Sequence, residues 1–94
     1  VYQYEEEAPT TRDIEATIFH KLARRGAWGE AYMPRDTLTR WLSKKIKKNG
    51  KRIRKIIDSL IREGYLLPHK GGKTISLNPS RRGEILRVIE DFLQ

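Results

Sequence analysis

The 94-residue chain has no cysteine, which excludes disulfides and thiolate metal sites and fits an intracellular protein. It has two histidines, His20 and His69, far apart in sequence, and no zinc site is expected from them. No apolar run approaches the ~18–20 residues of a membrane span. There is no signal-peptide pattern, and no membrane partner is expected. Phosphate-loop and dinucleotide fingerprints are missing. No serine lies near a plausible histidine and acid, and Glu5, Glu6 and Glu7 sit in a tail that cannot be preorganised. Neither catalysis nor a cofactor is therefore expected. Ninety-four residues allow one core and no second domain.

Acidic residues are also the minority, 12 against 20 lysines and arginines, for a net charge of +8. Three of the 12 lie in the first nine residues, VYQYEEEAP, which contain no base. Residues 1–9 read as an acidic tail and residues 10–94 as the domain, whose own charge is then +11. Such asymmetry points to a polyanionic partner. The chain opens on Val1 rather than Met, which leaves open that it is part of a longer chain or complex.

Hydrophobic periodicity orders the rest. Thr10 or Thr11 caps a first helix with Ile14, Ile18 and Leu22 on one stripe, ended by Gly26. Residues 26–34 form a loop closing in a short extended piece before Pro34, which suits the first turn of a second helix over about 35–46. Its inner face holds Leu38, Trp41, Leu42 and Ile46. Asn49 can cap a third helix over about 50–63, with Ile53, Ile56, Ile57, Leu60 and Ile61 inside and Gly64 at its end. Two extended runs beginning at Tyr65 and Thr74 flank Gly71-Gly72, a hairpin signal over 68–74 with its tip at His69 to Lys73, where His69 either enters a groove or does nothing specific. Asn78-Pro79 opens a last helix. The fold class is mostly α with a small β hairpin (α+β).

That order is similar to the winged helix-turn-helix superfamily. Arg52 to Leu66, RIRKIIDSLIREGYL, resembles a recognition helix running into the wing, with Leu60, Gly64, Tyr65 and Leu66 at the turn. Ile75 to Leu86, ISLNPSRRGEIL, resembles the second wing strand and last helix of archaeal and multiple-antibiotic-resistance-type regulators, on Leu77, Asn78 and Gly83. The resemblance implies a three-helix core plus wing and C-terminal helix that binds DNA, typically in transcription regulation. One departure is that Lys47 and Lys48 occupy the turn where the bacterial pattern usually holds a glycine and an aliphatic residue.

The main functional signal is residues 40–55, RWLSKKIKKNGKRIRK, with nine bases and no acid. With the isoleucine stripe inward, Lys51, Lys55, Ser59 and Arg62 point outward and Arg52 and Arg54 flank them, with Asp58 at the edge. Such a helix can enter the major groove of double-stranded DNA, with Arg52, Lys55 and Ser59 as candidate base contacts. Lys44, Lys45, Lys47, Lys48 and Asn49 are candidates for the phosphate side of the interface. Lys70, Gly71, Gly72 and Lys73 at the wing tip are candidates for phosphate as well. Each lysine alone reads equally well as solvated. Arg81 and Arg82 either reach phosphate or face solvent.

Trp41 is expected in the core, and Trp28 either plugs the core or sits at an interface. The wide apolar arc of the last helix either covers the core or pairs two copies as a homodimer. A cytoplasmic, nucleoid-associated regulator is expected, acting by occupying DNA. A module of a larger replication or repair protein and a protein-docking winged helix remain alternatives. RNA is disfavoured because A-form major grooves are too narrow.

Overall fold

The computed structural model describes residues 10–45 and 50–94. The acidic tail at 1–9 and Ile46, Lys47, Lys48 and Asn49 lie outside the described residues. Helix α1 spans Thr11–Arg24. Thr10 caps it, its hydroxyl accepting from the Asp13 amide at 3.0 Å, so one of the four orphan amides of the first turn is satisfied. Its buried stripe, Ile14, Ile18, Phe19 and Leu22, is the spine of the core. Each such side chain contributes on the order of 1.5–3 kcal/mol by leaving water.

A two-residue strand β1, Met33–Pro34, then leads directly into α2, Arg35–Lys45. Pro34 is thus the last residue of a strand and not the first of the helix. The short extended piece has become an edge of a sheet. Strand β2, Leu66–His69, and strand β3, Thr74–Leu77, form the expected hairpin, and β1 adds to the other side of β3. The result is a three-stranded antiparallel sheet of order β1-β3-β2, with Met33 opposite Ile75 and Leu66 opposite Leu77. The hairpin tip is shorter than the sequence suggests, because Pro68 and His69 stay in β2. Pro68 has no amide to donate, and the edge position of β2 tolerates that.

Helix α3, Gly50–Arg62, buries Ile53, Ile56, Ile57 and Leu60. Gly64, at φ +86°, turns the chain from α3 into β2 through a conformation that side chains disfavour. The last helix α4, Arg82–Leu93, follows a 3-10 turn over Pro79–Arg81. Asn78 holds this corner together. Its Oδ1 accepts from the Ser80 amide at 3.0 Å, and its Nδ2 donates to the Gly64 carbonyl at 2.7 Å. One side chain therefore caps the 3-10 turn that leads into α4 and ties it to the end of α3. The apolar arc of α4 divides: Ile85 and Ile89 are buried, Leu86 and Val88 pack half-buried on the core, and Phe92 and Leu93 remain exposed.

The molecule is thus mostly helical, with a small antiparallel sheet closing one side of a core contributed by all four helices. No described helix is long and apolar enough to cross a membrane.

Candidate nucleic-acid interface

The outward side of α3 follows from its inward side. At 100° per residue, the centre of the arc opposite Ile53, Ile56, Ile57 and Leu60 is occupied by Lys51, Lys55, Asp58 and Arg62, all exposed. Arg54 is exposed on one flank. Arg52 and Ser59 lie on the other flank, half-buried. Arg52 turns toward the start of α1, its Nη2 3.5 Å from the Thr11 hydroxyl. The Ser59 hydroxyl donates to Glu63 at 3.3 Å. Of the three expected base contacts, the structure therefore puts only Lys55 at the crest of the helix.

The crest also carries one acid that the sequence reading left at the edge. Asp58 forms an ion pair with Arg35, the first residue of α2, and the same guanidinium donates to the Arg54 carbonyl at 3.3 Å. Sequence spacing could not pair residues 23 apart. Arg35 is thus a cation of this surface that sequence reasoning missed. The only signal for it was its place behind Pro34, at the joint between extended piece and helix.

Arg35 also joins α3 to the hairpin. Its backbone amide donates to the Lys73 carbonyl at 2.9 Å, docking the hairpin tip against the start of α2. The tip itself is a 3-10 turn over Lys70–Gly72. Lys70, Gly71 and Gly72 all have positive φ, at +51°, +70° and +89°. The two glycines adopt this without penalty, but Lys70 bears strain of about 1–2 kcal/mol.

Below the tip, Tyr32 stacks on His69 with centroids 4.7 Å apart, and Lys70 Nζ lies 5.2 Å from the Tyr32 centroid. His69 Nε2 is 3.0 Å from the Ser76 hydroxyl, which donates to the Gly29 carbonyl at 2.6 Å. His69 is therefore a brace between hairpin and loop, not a tip residue free to enter a groove. Lys70 and Lys73 at the hairpin tip line one hollow with Arg35 at the start of α2, and Arg35 in turn meets α3, where Lys51, Arg54, Lys55 and Arg62 are exposed. Among the described residues the ion pairs are Arg12–Asp91, Arg35–Asp58 and Arg81–Glu84, so the α3 and hairpin cations named here other than Arg35 are uncompensated.

The electrostatics of α3 run against the usual helix pattern. Its first turn has no acid and holds Lys51 and Arg52. Cations at the positive end of a helix dipole are disfavoured, by about 0.3–1 kcal/mol each when exposed. Local rules are broken mainly where something outside the fold compensates.

Lys44 does not join this surface. On α2, Ser43 faces the start of α3, with its hydroxyl 3.4 Å from where a Cβ on Gly50 would stand. Lys44, one residue and 100° on, faces the end of α1 and lines a groove with Lys21, Arg25 and Trp41. The Lys45 side chain, Lys47, Lys48 and Asn49 lie outside what the structure describes.

Trp41 itself is half-buried, not core. Arg25 and Lys21 stand over its ring, 4.5 and 5.4 Å from the centroid. Trp28 packs half-buried on the core beneath Arg82, 4.9 Å from its centroid. Arg81 is spent on structure. It donates to the Glu63 carbonyl at 3.1 Å, pairs with Glu84, and lies 4.7 Å from the Tyr65 centroid.

Among the described residues no group of acids and histidines could hold a metal ion. Glu15 lies on the flank of α1 toward Glu63 at the end of α3. Partial burial raises its pKa above the ordinary carboxylate value, Glu63 adds to this, and Arg12 opposes it. It lies away from the cationic crest. Comparison of the chain with protein-family models, with curated proteins and with solved structures finds no match.

Proposed function

We propose that this domain is a winged helix-turn-helix that binds double-stranded DNA, with α3 in the major groove and the β2–β3 hairpin as a wing on the phosphate backbone. The observation that carries the reading is the run of exposed cations along α3 that form no ion pair among the described residues, beginning at the end of the helix where its own dipole disfavours them. A phosphate backbone removes that penalty. Lys51, Lys55 and Arg62 span about three turns, or roughly 16 Å, a length that lies along a groove. Lys55 and Arg62 are the residues that reach toward base edges, since Arg52 and Ser59 are engaged on the α1 side. Lys70 and Lys73 at the wing tip meet the flanking phosphates, and the Arg35–Lys73 backbone bond holds wing and helix in fixed relation. Positioning by phosphate and reading by base edge are thus divided between wing and helix.

The test is the salt dependence of binding to a mixed-sequence duplex, for the wild type and for Lys51→Ala/Lys55→Ala/Arg62→Ala. The wild type should weaken steeply between about 50 and 200 mM salt, and the variant should bind more weakly throughout and lose about 0.9 from the log–log slope, the share of Lys51 as the one phosphate contact among the three. No binding by either protein at low salt, or an unchanged slope in a folded variant, overturns the reading. In the first case the basic face belongs to an acidic protein partner.

A further inference from the structure

The α3 surface leaves a second cationic cluster unexplained. Lys21 and Arg25 from the end of α1 and Lys44 from α2 converge on Trp41, and His20 and Arg24 continue the same face of α1. None of Lys21, Arg24, Arg25 or Lys44 takes part in an ion pair among the described residues. The negative end of α1 accounts for Arg24, but not for a lysine brought in from another helix. Nor is this a loose lysine face. Arg25 lies over the Trp41 ring, 4.5 Å from its centroid, and this cation–π contact restrains the guanidinium at the groove before any ligand arrives, which lowers the ordering cost of binding an anion. What the groove offers is charge and N–H donors, the complement of a phosphate backbone and not of a protein hot spot.

Its position is equally informative. Ser43 and Lys44 turn to different flanks of α2, one toward α3 and the other toward α1, so α2 separates this groove from the α3 crest. We propose that the Lys21–Arg25–Trp41–Lys44 groove is a second phosphate-backbone site, and that one domain holds two nucleic-acid segments, one on α3 and the wing and one here. This rests on the DNA reading above and extends it from occupying a duplex to tethering two.

The test immobilises one duplex on beads, adds protein, and measures retention of a second, fluorescent duplex. Binding of a single duplex is measured in parallel by anisotropy. Wild type should retain the second duplex. Lys21→Ala/Arg25→Ala/Lys44→Ala should bind a single duplex within about threefold of wild type, yet retain the second at least about tenfold less, since each lost phosphate contact is worth roughly eightfold at 0.1 M salt. Thermal melting confirms that the variant is folded; a Lys21→Gln/Lys44→Gln variant, which leaves the Arg25–Trp41 stack intact, should show the same loss should the triple variant melt early.

Wild-type binding of one duplex without retention of a second overturns the inference and leaves the DNA reading standing. So does retention that survives in the folded triple variant, which would mean that two copies of the chain do the tethering. Capture of polyglutamate in place of the second duplex overturns it in favour of an acidic protein. If the wild type binds no duplex at all, both readings fall together.

Discussion

Asp58→Asn separates binding from folding because its expected effect is a gain. Asp58 is the one carboxylate at the crest of α3, among Lys51, Lys55 and Arg62, and it holds Arg35. With a phosphate about 6 Å away, its repulsion is worth roughly 0.7 kcal/mol in water, or about threefold in affinity. Neutralising it also releases Arg35. One additional effective phosphate contact would steepen the log–log salt slope by about 0.9 and raise affinity roughly eightfold at 0.1 M salt. The expected gain is thus about three- to eightfold, fading at high salt. The cost in stability is small. The Asp58 side chain is 53% exposed and that of Arg35 20%, so the pair is partly screened and its loss costs on the order of 1 kcal/mol, while Arg35 keeps its bond to the Arg54 carbonyl until a phosphate competes for it. Anisotropy titrations at several salt concentrations, with a thermal melt of each protein, read both effects. Unchanged or weaker binding with an unchanged slope, in a protein that melts normally, would show that the α3 crest does not face phosphate.

Two further outcomes follow from the hairpin tip and from the flank of α1. Lys70→Gly should stabilise the fold by up to about 1 kcal/mol in thermal or urea melts, because relief of the positive φ outweighs the added chain entropy, while DNA binding weakens severalfold. Equal losses of stability and binding would refute the assignment of strain there. Glu15→Gln should raise Tm at pH 7 and lose that advantage near about pH 4. The raised pKa means that the folded state binds the extra proton, so wild-type stability falls as pH rises from the ordinary carboxylate value through the raised one, and Gln removes that dependence. A Tm difference independent of pH would refute it.

Much of the fold is legible because it is periodic. The four helices, the hairpin, the Thr10 and Asn78 caps and the glycine at 64 are local signals, set by 3.6-residue spacing, by side chains that satisfy orphan amides and by a conformation only glycine adopts freely. The third strand was half legible, since Pro34 marks extended chain before it but not what that chain pairs with. The site was legible as charge and less so as geometry. Arg52 and Ser59 are polar residues in a basic helix, and nothing local says that α1 lies against their flank. Trp41 sits at a core spacing, yet the end of α1 brings two cations over its ring instead of closing the core above it.

The sequence by itself determined a mostly helical domain with a hairpin and a concentration of positive charge between residues 40 and 55, because composition and periodicity are properties of neighbours along the chain. Only the tertiary structure decided how that charge is divided. Packing α2 on α3, with its other flank turned to the end of α1, sends Lys44 to one groove and Lys51, Lys55 and Arg62 to another face. Pairing β1 with β3 brings Arg35 under the hairpin tip and against Asp58. Which charges act together depends on the angle at which helices cross and on residues 20 or more apart, and no local spacing carries that information.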